Sequence, residues 1–169
     1  MNIPERKLRE CVLKARAKGV IFDVGHGQGS FSWEIAEICG ENNFYPDVIS
    51  SDLHSGNVTG LARDLPWVMS KFMHLGKHLI LKSKVSNHHS GMEITDIVNA
   101  VTVLPCKVIG KDSQLLSDID KGNVVPDLTV LKIENIEEIA EDCSGNSRIL
   151  RKAFVPKYVV RKGVLKILE

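Results

Sequence analysis

Two apolar runs in this chain stop abruptly in glycine and polar residues. Val20 to Val24 leads into G-H-G-Q-G-S, and Val48 to Ser51 leads into Asp52 and His54. A segment that reads as a helix follows each. This outline predicts buried parallel strands that deliver side chains to a site at their C-terminal ends. Ahead of the first run, Glu5 to Lys18 places Leu8, Cys11, Val12 and Ala15 at helical spacing, and Gly19 is positioned to end the helix. Between the runs, Ser30 or Ser32 caps a helix carried by Phe31, Ile35 and Ile38 and closed by Gly40. The order α-β-α-β predicts adjacent parallel strands joined by a right-handed crossover.

After Asp52 the pattern changes. Ser55 to Arg63 reads as loop, and Asp64 and Pro66 open a third helix with Leu65, Val68, Met69 and Phe72 on one face and Gly76 as its stop. Lys77 to Ser90 has no clear period and reads as a disordered surface insertion. A fourth helix spans Met92 to Leu104 and ends at Pro105, followed by a Cys106–Ile109 turn closed at Gly110. Leu128 to Ile133 reads as a strand. The acidic stretch behind it, holding Glu134, Glu137, Glu138, Glu141 and Asp142, reads as a solvated face or loop. Ile149–Val155, Tyr158–Arg161 and Val164–Leu168 are β-rich, with Lys162-Gly163 as a hairpin turn. Two units follow: a mixed α/β part over 1–110 and a β-rich part over 120–169.

Composition sets limits. With 43% hydrophobic and 25% charged residues, the 169-residue chain has the balance of a soluble globular protein. A net charge of +1 offers no field to steer nucleic acid or a membrane surface. No apolar run reaches the roughly 18 residues of a membrane span. Cys11, Cys39, Cys106 and Cys143 are scattered, with no C-x-x-C pair, which predicts reduced, buried thiols in a cytoplasmic protein rather than a disulfide or zinc framework.

Candidate chemistry gathers at the two strand ends. Gly25 and Gly27 clear space around His26, while Asp52 and His54 stand two apart and face one side if the chain stays extended. A carboxylate so placed can ligate a divalent cation and act as general base on its water. Taken alone it equally suits a cap or loop, and His26 equally suits a hydrogen-bonded loop histidine. His74, His78, His88 and His89 read as surface residues.

The run D-V-G-H-G-Q-G-S-F resembles the first motif of class I methyltransferases, which would imply an S-adenosylmethionine site. There an acidic residue about 20 positions on holds the ribose. Asp52 lies 27 positions after Gly25, and the stretch to Gly110 offers no further strand for a doubly wound sheet.

A second resemblance uses far more of the chain. F-D-V-G-H-G-Q-G-S-F-S-W, F-Y-P-D-V-I-S-S-D-L-H and L-P-W-V-M-S-K-F-M-H-L-G, in that order, resemble the C-terminal half of an amidohydrolase-superfamily barrel, in its deacetylase and dihydroorotase-like branch. I-V-N-A-V-T-V-L-P-C-K-V-I-G is similar to the helix pair after the last barrel strand, and D-K-G-N-V-V-P-D-L-T-V-L-K-I-E and Y-V-V-R-K-G-V-L-K-I to segments of the accessory β domain. The resemblance implies an α/β fold: strands seven and eight of a (β/α)8 barrel with their helices, followed by strands of the accessory domain. It implies zinc or another divalent metal, with Asp52 as ligand and proton acceptor. It further implies substrate contacts from His26, Gly25 and Gly27, and a supporting role behind the ligand for His54. The substrate would be a small amide or acyl ester.

The departures matter equally. Members of this superfamily supply an H-x-H pair, a lysine and further histidines from earlier strands, and no such positions occur here. One ligand does not hold a catalytic zinc. The expectation is a truncated homologue, inactive alone, that oligomerises with itself or pairs with a missing N-terminal half. A non-catalytic binding or assembly partner is the remaining alternative.

Overall fold

A computed structural model describes residues 5–82, 92–111 and 127–168, with side chains for all of these except 77–82. Helix α1 (Glu10–Ala17) leads to strand β1 (Asp23–Gly25), helix α2 (Trp33–Glu41) and strand β2 (Val48–Ser50). β1 and β2 pair in parallel, with Asp23, Val24 and Gly25 opposite Val48, Ile49 and Ser50. The expected adjacency and crossover are both present. Pairing begins later than the apolar run does, however: Val20 and Ile21 lie outside the ladder and are half exposed. α1 is shorter than its sequence pattern and buries no residue. Ser32 rather than Ser30 caps α2, its hydroxyl accepting from the Ile35 N–H at 3.4 Å.

Helix α3 (Leu65–Lys82) runs through Gly76 instead of stopping there. Gly76 is itself buried, and packing outweighs the roughly 1 kcal/mol that glycine costs a helix interior. The first six residues of the expected Lys77–Ser90 insertion therefore belong to α3; residues 83–90 lie outside the described residues. The predicted fourth helix is two, α4 (Ile94–Val101) and α5 (Val103–Val108), broken at Thr102 (φ −128°, ψ −80°). Pro105 sits in the first turn of α5, where a missing N–H costs nothing.

The acidic stretch is a strand. β3 (Leu128–Glu141) pairs antiparallel with β4 (Ser147–Arg161), which pairs with β5 (Val164–Ile167) across the Lys162-Gly163 turn, both of whose residues have positive φ. Register shifts between Val130 and Leu131 and between Asn135 and Glu138 interrupt the alternation of faces, and Pro156 falls at the first of them. Among the described residues there is one two-stranded parallel sheet and one three-stranded antiparallel sheet, and no closed barrel. The doubly wound sheet of a methyltransferase is absent from them too.

One core joins the two parts. Phe31, Trp33, Ile49, Val68, Met69, Phe72 and Leu75 pack with Ala140, Leu150, Ala153 and Phe154 of the hairpin. Hydrogen bonds seal the seam. The Trp33 indole donates to the Ala140 carbonyl at 2.8 Å, and Cys143 N–H donates to the Phe31 carbonyl at 3.0 Å. Ser70 hydroxyl donates to the Pro66 carbonyl and accepts from Phe154 N–H.

Candidate functional site at the strand ends

The β1–β2 ladder continues beyond the strands, His26 N–H donating to Ser50 O at 3.2 Å and Gly27 N–H to Ser51 O at 2.9 Å. The two strand ends are thereby zipped together up to Asp52, where the chain turns sharply. Asp52 has φ +50°, the left-handed region that a non-glycine residue adopts at some cost and that aspartate tolerates better than most. Asn57, buried and not singled out by the sequence, holds this turn by accepting from His54 N–H and donating to the Asp52 carbonyl, both at 2.8 Å. Its signal was an Asx-type pattern in a polar loop, which many surface loops share.

Asp52 is exposed and its carboxylate lies against Gly27. A side chain at Gly27 would start 2.8 Å from Asp52 Oδ2, and Gly27 also has φ +47°. Both facts favour glycine there. Gly25 lies behind it, its Cβ direction 3.7 Å from Asp52 Cβ. His54 is exposed, and its Nδ1 accepts from Gly56 N–H at 3.1 Å within its own turn.

His26 is turned inward, 1% exposed, with its ring stacked on Phe31 at 4.8 Å. Nδ1 donates to the Gly27 carbonyl at 2.9 Å, which leaves Nε2 as the acceptor for the Lys71 ammonium at 2.8 Å. Burial pushes the imidazole down to about 4, with Lys71 adding to the shift and the Gly27 carbonyl opposing it. Lys71 is fully buried and donates also to Glu141 O at 2.7 Å and Leu61 O at 3.5 Å. Burial brings its ammonium down to about 8; Asp142 and Glu141 oppose that shift and Arg63 assists it. The sequence reading passed over Lys71. Its signal was position: three residues after Val68 and four before Leu75, on the apolar face of α3.

Asp142, assigned above to a solvated stretch, is buried in the β3–β4 turn. It accepts from the N–H groups of Trp33, Ser144 and Asn146 at 2.8–2.9 Å. Burial pushes its carboxyl up, but these donors outweigh burial and hold it below the usual carboxylate range. His74 is half-buried against Trp33 rather than on the surface; His78, His88 and His89 are not among the described side chains. The cysteines are all unpaired, as expected, although Cys11 and Cys143 are exposed.

A metal finds few ligands here. No group of three histidine, cysteine or carboxylate side chains among the described residues can hold an ion. Both ring nitrogens of His26 and the Nδ1 of His54 are engaged, which leaves the Asp52 carboxylate and one nitrogen of His54. These residues alone do not fit a catalytic metal, which wants about three protein ligands. Beside the strand ends lies an open groove of about 420 Å³ lined by Gln28, Thr59, Gly60, Arg63, Trp67 and Glu141, among others. No described helix is long and apolar enough to cross a membrane.

Comparisons with known proteins agree with this geometry. No family model matches the chain. A deacetylase of Agrobacterium fabrum is 29% identical over 147 residues, covering 87% of this chain and 32% of the relative. A deacetylase of Enterococcus faecalis is 26% identical over 151 residues, covering 89% of this chain and 36% of the relative. The chain thus spans about a third of the length of the curated relatives it matches. Among solved structures, a dihydroorotase superposes with TM-score 0.72 at 27% identity, over 93% of this chain and 37% of the other. An adenine deaminase superposes with TM-score 0.76 at 23% identity, over 99% and 41%, a likeness of fold alone. The chain is thus similar to deacetylases and to a dihydroorotase, which supports a relation to the amidohydrolase superfamily over the C-terminal part of such proteins.

Proposed function

We propose that this chain is the strand-seven and strand-eight portion, with the accessory β segment, of a metal-dependent hydrolase acting on amide or acyl ester bonds, and that it turns over no substrate by itself. The observation that carries the reading is Asp52. It stands at the C-terminal end of β2 in a left-handed conformation, with its carboxylate exposed beside Gly27, where an added side chain would crowd it. Costly backbone geometry around an exposed acid suits a site better than a solvated turn. Gly25 and Gly27 leave room beside that acid for a substrate, and His26 shapes the room from below. His54 follows the acid and steadies its loop. The resemblance to the amidohydrolase superfamily supports a divalent metal, for which zinc is the proposed candidate, and a cytoplasmic setting suits the unpaired cysteines. The remaining ligands come from a second polypeptide stretch or from another chain.

The test uses the purified chain with zinc, N-acetyl amides and acyl esters. Zinc binding no tighter than roughly micromolar and no hydrolysis above background are expected from one exposed carboxylate. Adding a separately expressed N-terminal half that carries H-x-H and the metal lysine restores turnover, and Asp52→Asn abolishes it while the halves still associate. Metal-dependent hydrolysis by the isolated chain that requires Asp52 would overturn the reading.

A further inference from the structure

Lys71 is the largest charged side chain in the core among the described residues, and its surroundings are unusual. It lies 0% exposed on α3, its ammonium 4.8 Å above the Phe31 ring, and no carboxylate among the described residues hydrogen-bonds it. Its three donors meet three neutral acceptors on three separate segments: His26 Nε2 in the glycine loop, Leu61 O ahead of α3 and Glu141 O at the end of β3. A structural lysine could serve such a seam by bonding carbonyls alone. This one also bonds an imidazole, and that bond fixes more than position. With Nε2 committed as acceptor, the single proton of the neutral ring must sit on Nδ1, where it donates to Gly27 O. Gly27 is the residue against which the Asp52 carboxylate rests.

We infer that Lys71 is a positioning residue for the strand-end site, holding the glycine loop against Asp52 through His26 and tying that loop to the β3–β4 hairpin. The chain of contacts is continuous: Lys71 Nζ to His26 Nε2, His26 Nδ1–H to Gly27 O, Gly27 to the carboxylate. The hairpin therefore supports the site from beneath, through the Glu141 carbonyl, as well as packing on the core. The functional side of this inference rests on Asp52 being the site carboxylate proposed above; the placement itself does not.

The test is spectroscopic and needs no activity. In the folded full chain, the ring nitrogens of His26 show Nδ1 protonated and Nε2 with the resonance of a hydrogen-bonded acceptor. A wild-type Nε2 resonance typical of a free lone pair overturns the proposal without any variant. In Lys71→Met, the Nε2 resonance moves to the free-acceptor position, the Gly27 amide exchanges at least tenfold faster, and the Asp52 carboxyl carbon resonance shifts. Ser70→Ala is the control: it breaks the adjacent bond between α3 and β4 and lowers the denaturation midpoint, yet leaves all three readouts unchanged. Equal changes in Ser70→Ala, or none in Lys71→Met, would show a merely structural lysine. Absence of hydrolysis in the combined halves counts against the proposed function alone.

Discussion

The two ends of the β3–β4 hairpin meet opposite fates. Near the turn, Ala140, Leu150, Ala153 and Phe154 are at most 5% exposed beneath α2 and α3. At the far end lie Leu128, Val160 and Leu165 in one row and Val130, Tyr158 and Ile167 in the next, by register. Five of those six are 41% to 67% exposed. Both ends carry apolar residues. The difference lies in what the rest of the chain brings to each end: a tryptophan and a long helix to one, and no described element to the other.

The most severe way to break the anchored end is Trp33→Ala. Trp33 is fully buried, edge-on to Phe31, and its indole holds the Ala140 carbonyl. Losing it costs about 3–5 kcal/mol, the range for large aromatic truncations in cores. Denaturant unfolding measures this, and a loss under about 1 kcal/mol would mean that the hairpin does not depend on α2.

Next in size is the pH dependence of the anchored end. His26 titrates near 4 in the folded protein against an ordinary value of 6.5. Between those values the unfolded chain binds more protons, so stability is complete above pH 6.5 and is lost as pH falls to 4. The loss amounts to roughly 3 kcal/mol at most. The Lys71 ammonium, lowered to about 8 from 10.5, makes stability rise again between those two values. His26→Gln, which can still accept from Lys71, removes the acid limb. An acid limb of the same steepness in that variant would place its origin elsewhere.

Third comes Asp142→Ala, expected to cost about 2 kcal/mol because three backbone N–H groups lose a charged acceptor. Asp142→Asn, which keeps acceptor capacity on one oxygen, loses less. Equal losses in the two variants would show that charge, rather than hydrogen bonding, holds the turn.

Much of this arrangement was legible from residue spacing. The β1–α2–β2 unit was, because two apolar runs end in glycine and polar residues with a capped helix between them. Its boundaries were less so, since Val20 and Ile21 look like strand but lie outside the ladder. The acidic strand was missed for a physical reason. The register shift between Asn135 and Glu138 breaks the period of two, and E-N-I-E-E-I-A-E then matches no strand template. Gly76 and Pro105 misled because tertiary packing and first-turn placement overrode their usual effect. At the site, the sequence brought Asp52 and Gly27 forward, and the structure sets them in contact. His26 was read as a substrate contact or a hydrogen-bonded loop histidine. It is turned inward and bonded to Lys71, 45 residues away, a partner that no local pattern announces.

The smallest effect on stability concerns the far end, and it sharpens the comparison most. Leu165→Thr with Ile167→Thr places β-branched side chains suited to a strand at both positions while removing apolar area from the exposed strand β5. Because these side chains are largely in water already, the pair should change stability by only about 0.5 kcal/mol. Association should respond instead. An apolar face with an open edge strand beside it invites contact with another copy or another chain. Its width is that of three strands, on the order of 10–15 Å at the usual spacing, and a stable dimer buries about 800 Å² per partner. Self-association through this face is therefore expected to be weak, visible in sedimentation velocity only at high concentration, and lost in the double variant. A destabilisation above about 1 kcal/mol would show instead that the far end is packed in solution, and the contrast between the two ends of the hairpin would disappear.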